Sequence, residues 1–162
     1  MPSSRSAGPS SPESDVEAAD LALRNLTYGL FVELGRAPRP EEVADREATT
    51  TDEVIAGWRR LHDGHAIVLD STTDALQMAN PFSAVPTPHV VEADGRQWYA
   101  NCAWDAFGIC AALQTDGRIE TSCRDCGDPI EIEVRDGRPG DASLVFHCLV
   151  PAARWWDDIT FT

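Results

Sequence analysis

Cys102 and Asp105, three positions apart, are the pair in this 162-residue sequence whose types and spacing most invite chemistry. They stand in Tyr99-Ala100-Asn101-Cys102-Ala103-Trp104-Asp105, which reads as the start of a helix. Asn101 is expected as the N-cap, because its side-chain oxygen accepts an otherwise orphan backbone N–H. Cys102 then falls in the first turn, where the helix dipole and free N–H groups favour a thiolate and lower the thiol pKa. Asp105 shares that helix face, offering a proton acceptor or donor one turn from a soft ligand. A plainer reading stands beside this one. Free cysteine is among the most buried residue types, and an acidic residue in a first turn is simply good capping.

The other cysteines are weaker partners. Cys110 lies two helical turns beyond Cys102, roughly 12 Å along the axis, too far to share one metal atom. Cys148, in Phe146-His147-Cys148-Leu149, is the remaining candidate to join Cys102. It falls on a strand expected over 144–150, where alternation turns it away from His147 and toward the core. Cys123 and Cys126 form a C-x-x-C knuckle. Zinc there needs two further ligands, and only the adjacent His147 and Cys148 are on offer. A structural turn with one buried sulfur is the favoured reading, and thioredoxin-like chemistry lacks its βαβ setting. His62, His65 and His89 share no ligand spacing and read as packing or surface residues. Trp155-Trp156 reads as packing rather than as a sugar platform.

The elements that must position these residues follow from periodicity. Val16, Ala19, Leu23, Leu26, Leu30 and Leu34 recur at helical spacing from Asp15, and Gly35 is placed to end that helix. Pro40 suits the first turn of a short helix through Ala48. Thr50 and Glu53 make a capping box for a third helix carrying Val54, Ile55, Trp58 and Leu61, which His62-Asp63-Gly64 stops. A strand over 66–69 follows. Three helices and a strand resemble a winged-helix module, either a DNA reader or a helical scaffold or lid. Beyond Asp70 the pattern turns to strands. Val90-Val91-Glu92 and Gln97-Trp98-Tyr99 flank an Asp94-Gly95 turn as a hairpin. After the Cys102 helix, which runs to about Leu113, strands are expected over 119–122, 129–134 and 144–150, with Asp136-Gly137 as a turn. One helical turn over 151–156 and a strand from Ile159 close the chain.

Composition narrows the function. Thirteen Lys plus Arg stand against 27 Asp plus Glu, a formal net charge of −14. That field repels phosphate backbones and anionic membranes, so neither nucleic acid nor membrane is an expected partner. Residues 1–14 are Ser/Pro-rich, lack the apolar core of a signal peptide, and read as a disordered tail. A cytoplasmic location with reduced cysteines follows as the expectation, and five cysteines cannot all pair internally.

The run Val85-Pro86-Thr87-Pro88-His89, followed by Asp94-Gly95-Arg96-Gln97-Trp98-Tyr99-Ala100-Asn101-Cys102-Ala103-Trp104-Asp105, resembles the central signature of the organomercurial (alkylmercury) lyases. That signature is a Thr-Pro-His strand, an Asp-Gly turn and an aromatic-Ala-x-Cys-Ala-x-Asp helix start, with a cysteine in the next strand. The similarity runs from about Leu21 onward and is strongest over 85–135. It implies that Cys102 and Asp105 are catalytic, that Cys102 binds substrate mercury, and that Cys123 is structural. The family's second catalytic cysteine would fall at or just beyond Thr162, which leaves Cys148 as the possible second mercury ligand.

The resemblance implies protonolysis of R–Hg⁺ to RH and Hg(II), with mercury as substrate and no cofactor. It implies an organomercurial presented as a thiol adduct and hand-off of Hg(II) to a mercuric reductase. The alternatives are a non-catalytic homologue that holds mercury or another soft metal, and a metal-sensing winged-helix regulator. The expected fold is α+β. A winged-helix-like module of three helices (15–70) packs on a small mixed sheet in a β-rich catalytic domain (71–162) that the chain end cuts short.

Overall fold

The computed structural model describes residues 12–140, 143–148 and 150–159. Helix α1 spans Pro12–Leu34, beginning three residues before the expected start, with proline at its first position as the missing N–H allows. Of the expected tail, residues 1–11 therefore lie outside the described residues. The apolar stripe on α1 is used only in its second half. Thr27, Leu30 and Phe31 are buried, whereas Val16 and Leu21 stand in solvent. Gly35, at φ +68°, ends the helix, and Arg96 donates to the Val32 and Glu33 carbonyls at 2.8 and 2.9 Å, satisfying orphan acceptors of its last turn.

Helix α2 (Pro40–Glu47) starts on its proline, and α3 (Thr51–Asp63) carries the expected capping box. The Glu53 N–H donates to Thr50 Oγ1 at 3.3 Å, and the Thr50 N–H donates to Glu53 Oε2 at 3.0 Å. Val54, Trp58 and Leu61 of α3 are buried.

Eight strands follow, β1 (Val68–Leu69), β2 (Leu76–Ala79), β3 (Phe82–Ser83), β4 (Val90–Ala93), β5 (Arg96–Ala100), β6 (Gly117–Ser122), β7 (Pro129–Arg135) and β8 (Arg138–Pro139). They form one sheet in the order β1-β2-β3-β5-β4-β6-β7-β8. Every pairing is antiparallel, where a mixed sheet was expected. The reason is local. Asp94-Gly95 and Asp136-Gly137 all have positive φ, the primed-turn conformation that folds a strand straight back on its neighbour. Helix α4 (Ala103–Leu113) then carries the chain from β5 past β4, so β6 lands antiparallel beside β4.

Among the described residues of 144–150 the expected strand does not form. Residues 144–148 have no regular structure and are exposed. The outer edge of β7 is already taken by β8, which ends on Pro139, a residue that cannot extend a ladder. The chain returns instead toward α4, where the Phe146 ring meets Trp104 with centroids 5.8 Å apart. A short 3-10 helix (Ala152–Asp157) stands where one helical turn was expected. Of the strand expected from Ile159, that residue is in a turn and 160–162 lie outside the described residues. Among the described residues no helix is long and apolar enough to cross a membrane.

One hydrophobic cluster joins helices and sheet. Phe31 stacks on Phe82 at 5.1 Å, and Trp98 meets Phe82 edge-on at 6.2 Å. Between α1 and α3, the buried Trp58 Nε1–H donates to Thr27 Oγ1 at 2.9 Å, and that hydroxyl donates on to the Leu23 carbonyl at 2.8 Å. Thr27→Val keeps the shape but strands the indole N–H. It should cost about 1–3 kcal/mol in urea unfolding, and an unchanged midpoint would show that this bond contributes nothing.

Candidate functional site

Strand β5 ends at Ala100, whose N–H donates to the His89 carbonyl at 2.9 Å, while His89 Nδ1 lies 2.7 Å from Thr121 Oγ1. This row across β5, β4 and β6 marks one end of the sheet. Cys102 leaves it two residues beyond Ala100, and Cys123 leaves it two residues beyond Thr121. His89 is buried here as a packing residue, its pKa lowered by burial and by the Arg124 charge.

The N-cap of α4 is Cys102 itself, in extended conformation, and not Asn101. Asn101 is used elsewhere. Its Nδ2 donates to Asn80 Oδ1 at 2.8 Å, and its side chain also lies against the Asp105 carboxylate. The Cys102 Sγ–H donates to Asp105 Oδ2 at 3.4 Å, so the two residues paired by spacing do meet.

Their acidities correct the sequence expectation. The Cys102 thiol is pushed up to about 11, first by burial and then by the neighbouring Asp105 charge. The Asp105 and Trp104 N–H groups face the sulfur and pull the other way, without closing a capping hydrogen bond, and they lose. Burial, together with the carboxylate three residues away, outweighs the helix end. Asp105 is itself raised, again by burial, against the opposing bonds from Cys102 and Asn101. The corner thus holds a neutral thiol beside a carboxylate disposed to accept a proton.

Tyr28, from the middle of α1, lies within electrostatic range of this corner. Its hydroxyl donates to the Ala66 carbonyl at 3.2 Å, and its pKa is raised by burial and, in smaller part, by the Asp105 charge. Sequence reasoning missed Tyr28, Asn80 and the role of Asn101, because nothing local links residues 28, 80 and 105.

Cys148 is exposed rather than turned into the core, since the strand expected to orient it is absent. Its Sγ–H donates to the Val150 carbonyl at 2.8 Å, which also accepts from Trp155 Nε1 at 2.8 Å. Cys148 lines an apolar cleft of about 410 Å³ with Trp104, Phe146 and Trp155, beside the helix start that carries Cys102. Trp156 stacks on His65 at 4.2 Å, so the adjacent tryptophans have separate packing tasks. Cys110 is buried on the far side of α4. Among the described residues no group of three or more His, Cys, Asp or Glu side chains could hold a metal ion.

The family model for alkylmercury lyase matches residues 82–162, half of the chain, and takes in Cys102, Asp105, Cys123 and Cys148. The chain belongs to the alkylmercury lyase family. Alkylmercury lyases of Bacillus cereus and Clostridium butyricum are each 40% identical to it over 50 residues. That stretch is 31% of this chain and 23% of each relative, so the match spans about a quarter of their length. The mercury-bound form of MerB2 superimposes with a TM-score of 0.59 at 22% identity, over 78% of this chain and 65% of that one, and shares its fold. The antiparallel sheet and its helices are thus those of a family structure, and the Cys102–Asp105 corner lies inside the family-matched half.

The raised thiol gives a direct test. Cys102 should react with iodoacetamide roughly a hundredfold more slowly at neutral pH than an ordinary thiol, its rate still climbing toward pH 11. Asp105→Asn removes the nearby negative charge and should shift that profile to lower pH. A midpoint below 9 in the unmodified protein would show that the helix end, not burial, governs the sulfur.

Proposed function

We propose that this chain is an organomercurial lyase in which Cys102 captures mercury and Asp105 moves the proton. The observation that carries the reading is the Cys102 thiol donating to the half-buried Asp105 carboxylate within the family-matched region. Mercury is a soft cation, and thiolates outcompete nitrogen and oxygen ligands for it. As R–Hg⁺ bonds to Cys102, the thiol proton passes to Asp105. The product is a neutral sulfur–mercury bond beside a neutral carboxylic acid, the state that burial favours for both groups. Asp105 then returns the proton to carbon as the Hg–C bond breaks, releasing RH and leaving Hg(II) on the sulfur with the carboxylate restored. Mercury is substrate and product here, so the reaction calls for no cofactor.

Cys148 is proposed as the second mercury ligand. The Trp104–Phe146 contact holds its segment against the start of α4, and the cleft it lines offers apolar surface for the organic group. The helices α1–α3 are proposed as a lid that keeps water from the reacting bond. The substrate would arrive as a thiol adduct, and Hg(II) would leave to a thiol acceptor such as a mercuric reductase. The helix order of α1–α3 also fits a winged-helix regulator, but the two basic side chains on α3 are engaged. Arg59 pairs with Asp74 at 2.5 Å and Arg60 with Asp20 at 2.6 Å, leaving little to meet a phosphate backbone.

Purified protein given methylmercury and excess thiol should release methane into the headspace, and Cys102→Ala should release none. Asp105→Asn should slow release by about 10²–10⁴-fold while retaining mercury, as expected for loss of a proton donor. Cys148→Ser should slow it as well. Mercury retained by the unmodified protein without any methane would replace the lyase with a sequestering homologue.

A further inference from the structure

The second thiol cluster of the molecule lies outside the Cys102 corner. Cys123 and Cys126 sit in one tight turn after β6, in which the Cys123 N–H donates to the Asp128 carbonyl at 2.8 Å and the Gly127 N–H donates to the Cys123 carbonyl at 2.9 Å. Gly127, at φ +77°, closes the turn. This folds the two side chains together, with the Cys126 side chain and the Asp125 and Cys126 N–H groups against Cys123 Sγ, and the Asp128 carboxylate beside Cys126. Cys123 is half-buried, Cys126 is exposed, and both are free thiols.

From this pairing we infer that Cys123 and Cys126 form a two-thiolate binding site for a soft cation of linear coordination, with Hg(II) as the ligand it fits. Zinc takes four ligands in a structural site, and no group of three or more ligating side chains exists among the described residues. Hg(II) is satisfied by two thiolates and leaves no empty position to fill. The Asp125 and Cys126 N–H groups that face Cys123 Sγ suit that sulfur to hold negative charge against a bound cation. Loading is a ligand exchange without redox change. Hg(II) bis-glutathione plus two protein thiols gives the S–Hg–S chelate plus two glutathione molecules. The site stands apart from the lyase reading, since it uses neither Cys102 nor Cys148.

The test uses the full chain carrying Cys102→Ser and Cys148→Ser, exposed to mercuric chloride in excess glutathione and then desalted. This protein should retain one Hg(II), with Cys123 and Cys126 both shielded from iodoacetamide in a mass-spectrometric footprint. Adding Cys126→Ser, a change at an exposed side chain, should lower retained mercury by about tenfold or more, because the second thiol of a chelate acts at high effective concentration. Cys123→Ser should do the same, with circular dichroism checking the fold of each variant. Retention that survives loss of either thiol, shielding of only one of them, or no retention with both present would each overturn the site.

Discussion

The stack of Phe31 on Phe82, with Trp98 edge-on behind it, joins the helical layer to the sheet, whose strand β5 runs directly into the Cys102–Asp105 corner. Phe31 lies one turn from Tyr28 on α1, and Phe82 and Trp98 belong to strands that bracket the start of α4. Fixing these rings fixes the end of β5 from which the chain runs into the thiol and the carboxylate. The hydrogen-bonded Trp58–Thr27 pair then locks α1 to α3.

Partial burial reverses the usual argument about a cysteine at a helix start. A helix end contributes about 0.3–1 kcal/mol to a charged group at the surface. Here the sulfur is half-buried and faces a carboxylate, and both effects penalise a second negative charge more than the N–H groups reward it. The resulting resting state is a neutral thiol with its proton acceptor already in contact. For a nucleophile that must attack carbon this would be a handicap. For a sulfur that exchanges its proton for mercury it is an advantage, since a buried pair is most stable when neither partner carries charge.

The sheet brings its two sets of thiols to one end. Ala100, His89 and Thr121 form a continuous row across three strands, and the chain leaves that row toward Cys102 on one side and toward the Cys123–Cys126 turn on the other. In each set a thiol lies beside an aspartate, Asp105 in one and Asp128 in the other. The environments differ. The first is half-buried and lies beside an apolar cleft. The second is more open, with Cys126 exposed to solvent.

Much was legible in the chain itself, wherever the determining contacts are local. The Thr50–Glu53 box, Gly35 at the end of α1, Pro40 at the start of α2 and the Asp-Gly turns each depend on residues a few positions apart, and all formed as their chemistry dictates. The contact between Cys102 and Asp105 was legible for the same reason, as was the family signature around it. What only the tertiary structure decided depends on residues far apart in sequence. Asn101 gave up the cap because Asn80 offers it a partner. The segment over 144–148 lost its strand because β8 already holds the sheet edge, and Cys148 became exposed as a result. The thiol pKa moved up instead of down because burial and the Asp105 charge outweigh the helix end. Spacing along a chain tells which groups can meet; how much solvent remains when they do is settled by everything packed around them.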